Sequence, residues 1–118
     1  TVAEIRTTNG LASLRPDREL ERAALAQASN MASAGRMAHD TGARRDFPSR
    51  MRAGGIRGTA AENIAHGRFD TPRVIDVWMN SDGHRRNMLD ERFSRFGLAY
   101  VPDPRDPSRR YWAMVLGE

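Results

Sequence analysis

The run Tyr111 to Leu116, YWAMVL, places the strongest constraint on how this chain can fold. A strand turns alternate side chains to opposite faces. Here Tyr111, Ala113 and Val115 fall on one face and Trp112, Met114 and Leu116 on the other, and both sets are apolar. A strand of this kind has to be covered on both sides. A second β-favouring run, Phe96 to Val101, precedes it, and the proline-rich PDPRDPSRR between them reads as a long hairpin loop. The end of the chain is therefore expected to be antiparallel sheet with a layer on each face.

The first half supplies helices for those layers. Asp17 is a candidate N-cap, Leu20, Ala24, Ala28 and Met31 recur at three and four residues, and Gly35 provides a stop. The alanines on this helix let a neighbour pack close. From Asp40 to Gly58 the pattern loosens into loop, broken by one helical turn in FPSRMRAGG with Pro48 near its start and Gly54 near its end. Thr71 followed by Pro72 reads as an N-cap with proline at the first helical position, and Val74, Ile75, Trp78 and Met79 then form one apolar stripe. With 118 residues and no repeat or linker, the chain reads as one domain, 1–118, of α+β class with helices on two sides of its sheet.

Composition removes several function classes. There is no cysteine, so a disulfide framework and a thiolate metal site are both excluded, and any metal would need His and carboxylate ligands. All 19 basic residues are arginine and the net charge is +4, yet acids intervene throughout. A mixed, solvated surface is the first reading; arginine-mediated binding to anionic polymers or lipid is an alternative, and no specific nucleic acid is expected. No apolar run approaches the ~20 residues that would span a membrane, so no transmembrane segment is expected. No signal peptide is read within these residues, and the start at Thr1 rather than Met is expected of a processed or trimmed product whose leader is missing.

No nucleophile elbow, glycine-rich phosphate loop or HExxH helix is present. What remains is a small set of chemically capable residues: His39, His66, His84 and Glu62. Glu62 closes Thr59-Ala-Ala-Glu62, which has the spacing of a capping box at a helix start. His66 follows it by four residues, on the same face of such a helix, and is expected to make an ion pair or lie exposed. His39 leaves the long helix for a loop. His84 sits in NSDGHRRNML, where Ser81 can cap a short helix and Gly83 permits a tight turn beside the imidazole.

The ordered series of His39, AENIA (Ala61 to Ala65), VWMNSDGHRRNML (Val77 to Leu89), FGLAYV and YWAMVLG resembles the CAP superfamily of cysteine-rich secretory, antigen 5 and pathogenesis-related 1 proteins. The similarity is greatest to its cysteine-free bacterial SCP-like branch. NGLASLRPDREL near the start is similar to that family's first helices, so the resemblance covers nearly the whole chain.

This resemblance implies a three-layer α-β-α sandwich with a central antiparallel sheet and a cleft. In the family the cleft gathers two histidines and two acids, and divalent cations, often Zn2+, are found there in some members. Residue by residue, His39 and His84 match the histidines and Glu62 the first acid, so these three are the implied metal ligands and the only candidates for catalysis. The second acid, three residues after a tryptophan in eukaryotic members, falls here on Ser81 after Trp78. Ser81, Asn63 and Trp78 are expected to support the cleft. The implied function is a secreted, periplasmic or envelope-associated bacterial module, monomeric, that binds a cation and an extracellular ligand. A metal-assisted, peptidase-like hydrolase is the alternative, weakened by the missing acid.

Overall fold

A computed structural model describes residues 2–118, and the reading of Thr1 as a processed terminus lies outside the described residues. The elements run α1 (Val2–Thr8), β1 (Arg15–Pro16), α2 (Arg18–Ala34), α3 (Phe47–Ala53), β2 (Ala60–Gly67), α4 (Thr71–Met79), α5 (Asp82–Met88), β3 (Arg95–Asp103) and β4 (Asp106–Gly117). The strands form one sheet in the order β1-β3-β4-β2. The three long strands are antiparallel, and only the two-residue β1 pairs in parallel, with Arg95 and Phe96.

The alternation in YWAMVL does in space what it requires in sequence. Tyr111, Ala113 and Val115 join Leu20, Ala24, Met31, Met51 and Ile64 in one apolar cluster. Trp112, Met114 and Leu116 join Val74, Ile75, Trp78 and Met88 in another. The sheet is thus the middle layer, with α2 and α3 on one side and α4 and α5 on the other. Each fully buried large side chain contributes about 1.5–3 kcal/mol through burial, and Leu20, Met31, Trp78 and Met88 are all at 0% exposure.

The long helix begins and ends where its signals stand. The Asp17 side chain accepts from the Leu20 N–H, and Gly35 closes the helix at φ 68° while its N–H bonds the Met31 carbonyl. At the next helix on the same side, α3, the Asp46 carboxylate takes the Ser49 N–H. The cap of α4 lies one residue earlier than expected. Asp70 is extended and accepts from the Arg73 N–H, leaving Thr71 as the first helical residue. An aspartate carboxylate outcompetes a threonine hydroxyl for that charge-favoured position.

Three expectations are corrected. Thr59 to Glu62 caps no helix: Ala60–Gly67 is a strand paired along its whole length with β4, from Ala60 opposite Gly117 to Gly67 opposite Arg110. The capping-box spacing is present, but an apolar β4 needs a partner on each edge, and tertiary pairing overrides a local cap. The long hairpin loop is also absent, because β3 and β4 continue through PDPRDPSRR to a turn at Pro104 and Arg105. Pro107 is tolerated because β2 ends its pairing at Arg110 and, on the other edge, Pro107 falls in the irregularity between the Pro102–Arg110 and Asp103–Asp106 pairs, so it has no register partner on either side. Finally, most of NGLASLRPDREL is extended connection between α1 and α2 rather than helix.

Candidate functional site

The strand assignment decides which way each cleft residue points. Along β2, Glu62, Ile64 and His66 face α2, and Asn63 and Ala65 face α4 and α5. Because β2 is an edge strand, residues from the loop after α2 and from α5 can meet around its edge. His39 comes from that loop, and its Nδ1 lies 2.9 Å from Glu62 Oε1. The buried Gln27 amide donates to the Ala38 carbonyl at 2.6 Å and so fixes the loop from the helix.

Glu62 carries a second partner that its sequence neighbourhood does not announce. Arg50 of α3 donates from Nη1 to Glu62 Oε2 at 2.7 Å and from Nη2 to Oε1 at 2.9 Å. The same Nη2 reaches the His39 carbonyl at 2.8 Å, and Nε reaches the Arg45 carbonyl at 2.7 Å. The side chains of Glu62 and Arg50 are 1% and 8% exposed, whereas His39 keeps 53% of its side chain in solvent. Among 19 arginines, sequence offers no signal that would single out Arg50.

On the other side of β2, His84 Nδ1 sits 3.1 Å from Ser81 Oγ. Ser81 occupies the N-cap position of α5, but its hydroxyl makes no cap bond and serves the imidazole instead. Asn63 joins the two halves: its amide donates to the His84 carbonyl at 3.2 Å and its oxygen accepts from Asn87 at 2.9 Å. Trp78 Nε1 donates to the Ile64 carbonyl at 3.0 Å, tying α4 to the same strand. Burial, and after it the charge of His39, push the His84 imidazole below the ordinary histidine range.

For a divalent ion the donor set divides. Both oxygens of Glu62 are taken by Arg50 and His39, and among the described residues no group of three or more His, Cys, Asp and Glu is disposed to hold a metal. The two imidazoles fit better. Each has its Nδ1 on an oxygen partner, the arrangement that orients Nε2 toward a metal.

His66 stands apart from this cleft. Its Nε2 meets Asp103 Oδ2 at 2.9 Å, and its ring stacks on Tyr111 with centroids 4.0 Å apart. The helical i, i+4 spacing from Glu62 on which its expected pairing rested does not exist: on a strand, His66 meets Asp103 of the β3–β4 hairpin instead. Arg6, also unremarked in the sequence, is 1% exposed and donates to the carbonyls of Ala12, Met88, Asp90 and Phe93, pinning α1 to the end of α5. An apolar cavity of about 560 Å³, lined by Ile5, Leu14, Ile75, Phe96, Leu98 and Met114, lies on the α4 side of the sheet, away from Glu62.

Comparison with known proteins bears on the same geometry. The model of the cysteine-rich secretory protein family, CAP, matches residues 1–116. The uncharacterized protein YkwD of Bacillus subtilis (strain 168) is 35% identical over 97 residues, 81% of this chain and 38% of its own length. The uncharacterized membrane protein YlbC of the same strain is 28% identical over 95 residues, 80% of this chain and 28% of its own. The chain thus spans well under half of the curated relatives it matches. Among solved structures, an extracellular SCP-domain protein from Bacillus anthracis str. Ames superposes with TM-score 0.88 at 24% identity, over 99% of this chain and 37% of that one. An outer surface protein from Borrelia burgdorferi gives 0.85 at 20% identity, over 99% and 86%. At such identities the two structures speak for the fold alone. With the family model matched over residues 1–116, this chain, though it has no cysteine, belongs to the CAP family of cysteine-rich secretory proteins.

Proposed function

We propose that the domain works outside the cell or in its envelope as a binding module whose cleft takes a divalent cation on His39 and His84, with Glu62 acting through His39. One observation carries this reading: His39 and His84 stand on the two sides of the edge strand β2, each with Nδ1 on an oxygen partner. Zinc accepts imidazole nitrogen and tolerates water in its remaining positions. A bound ion of this kind would supply an electrophilic centre for an extracellular ligand's carbonyl or carboxylate oxygen.

A peptidase-like hydrolase needs in addition a free general base near the ion. Glu62 is committed to Arg50, and Ser81 to His84. The binding reading is therefore better supported than the hydrolytic one. Location outside the cytoplasm is supported by the family and by the extracellular and outer-surface proteins that share the fold.

Calorimetric titration of metal-free protein with zinc at neutral pH tests the proposal. One-to-one binding, lost in both His39→Ala and His84→Ala, supports it. Absence of binding in folded wild type overturns it.

A further inference from the structure

The buried carboxylate of the cleft already has its cation. Arg50 meets both oxygens of Glu62, at 2.7 and 2.9 Å, in a pair whose side chains are 8% and 1% exposed. Two further bonds, to the carbonyls of His39 and Arg45, hold the guanidinium from behind. A guanidinium does not lose its proton in a protein, and its planar fork matches a carboxylate edge to edge.

Resting on the cation-binding reading above, we infer that Arg50 is a resident counter-cation that sets the strength and selectivity of the cleft. It cancels the charge of Glu62, and it occupies the oxygens that an incoming divalent ion would otherwise use. What is left for the ion is imidazole nitrogen. Calcium and magnesium need oxygen ligands, whereas zinc and copper accept nitrogen. Wild type is thus tuned to nitrogen-seeking ions held with modest affinity. Ser81 adds no charge to offset Arg50 and spends its hydroxyl on His84.

Titration calorimetry with zinc chloride on metal-free wild type, Arg50→Met, Glu62→Gln and the double variant, each checked for fold by circular dichroism, tests this. Arg50→Met is expected to bind zinc about tenfold more tightly or better, the scale on which groups around a metal site act. Adding Glu62→Gln is expected to abolish that gain, because the freed carboxylate is its source. Wild type that binds zinc while folded Arg50→Met binds it no more tightly overturns the inference and leaves the cation reading standing. Absence of binding in every variant overturns both. Should Arg50→Met fail to fold, Arg50→Lys carries the test, since lysine keeps the charge without the two-pronged grip; tighter zinc binding supports the inference, and unchanged or weaker binding overturns it.

Discussion

His66 Nε2 lies 2.9 Å from Asp103 Oδ2, so β2 is tied to the tip of the β3–β4 hairpin by an ion pair laid flat against Tyr111. The Arg105 N–H, and then the His66 ring, hold the Asp103 carboxyl below the ordinary aspartate range against the opposing effect of burial. The folded chain therefore binds this proton more weakly than the unfolded chain does. Stability from Asp103 is complete above the unfolded value, about pH 3.9, and is lost as pH falls through the lower folded value. Thermal melts between neutral pH and pH 2 are expected to show a steeper acid decline for wild type than for Asp103→Asn. Parallel curves would argue against a functional pair.

Arg50 and Glu62 form a buried pair, and removing one partner strands the other's charge. Glu62→Ala is expected to cost about 3–5 kcal/mol, and Arg50→Ala a comparable amount. The double variant should cost clearly less than the two together. A denaturant-unfolding double-mutant cycle measures this, and simple additivity would contradict it.

Gly97 of β3 lies under the backbone of α2: a β-carbon there would collide with the Leu20 carbonyl carbon and the Glu21 nitrogen. Backbone cannot swing aside as a side chain does. Gly97→Ala is therefore expected to lower stability by about 1–3 kcal/mol or more, seen as a reduced urea midpoint. Unchanged stability would mean the helix does not cross so close.

Asn63 is fully buried between β2 and α5, bonded to the His84 carbonyl and to Asn87. Asn63→Ala removes no metal ligand but loosens the backbone that carries His84. Zinc affinity is expected to fall by about tenfold, while His39→Ala removes binding outright. Full affinity in Asn63→Ala would deny it a positioning role.

The fold was legible where pattern and burial agree. The two-faced YWAMVL run required the three layers, and Asp17 to Gly35 marked the long helix at both ends. Legibility failed where local chemistry had a tertiary competitor. Thr59 to Glu62 had the spacing of a helix cap but lies against β4, and the prolines after Val101 suggested a long loop, yet Pro102 and Pro107 lie within strands and only Pro104 is in the turn. His39, Glu62 and His84 were visible because rare residue types stood in ordered motifs. Arg50 was not: its importance comes from a fold that carries α3 to the carboxylate, and one arginine among 19 carries no mark of that.

The central claim is that the two imidazoles hold the cation while Glu62 stays with Arg50. Crystals grown with zinc, measured at the zinc absorption edge, test it most directly. The account expects one anomalous peak about 2.0–2.1 Å from Nε2 of both His39 and His84, with the Arg50–Glu62 contact intact. A peak on a Glu62 oxygen with Arg50 displaced, or zinc found only away from these histidines, would contradict it.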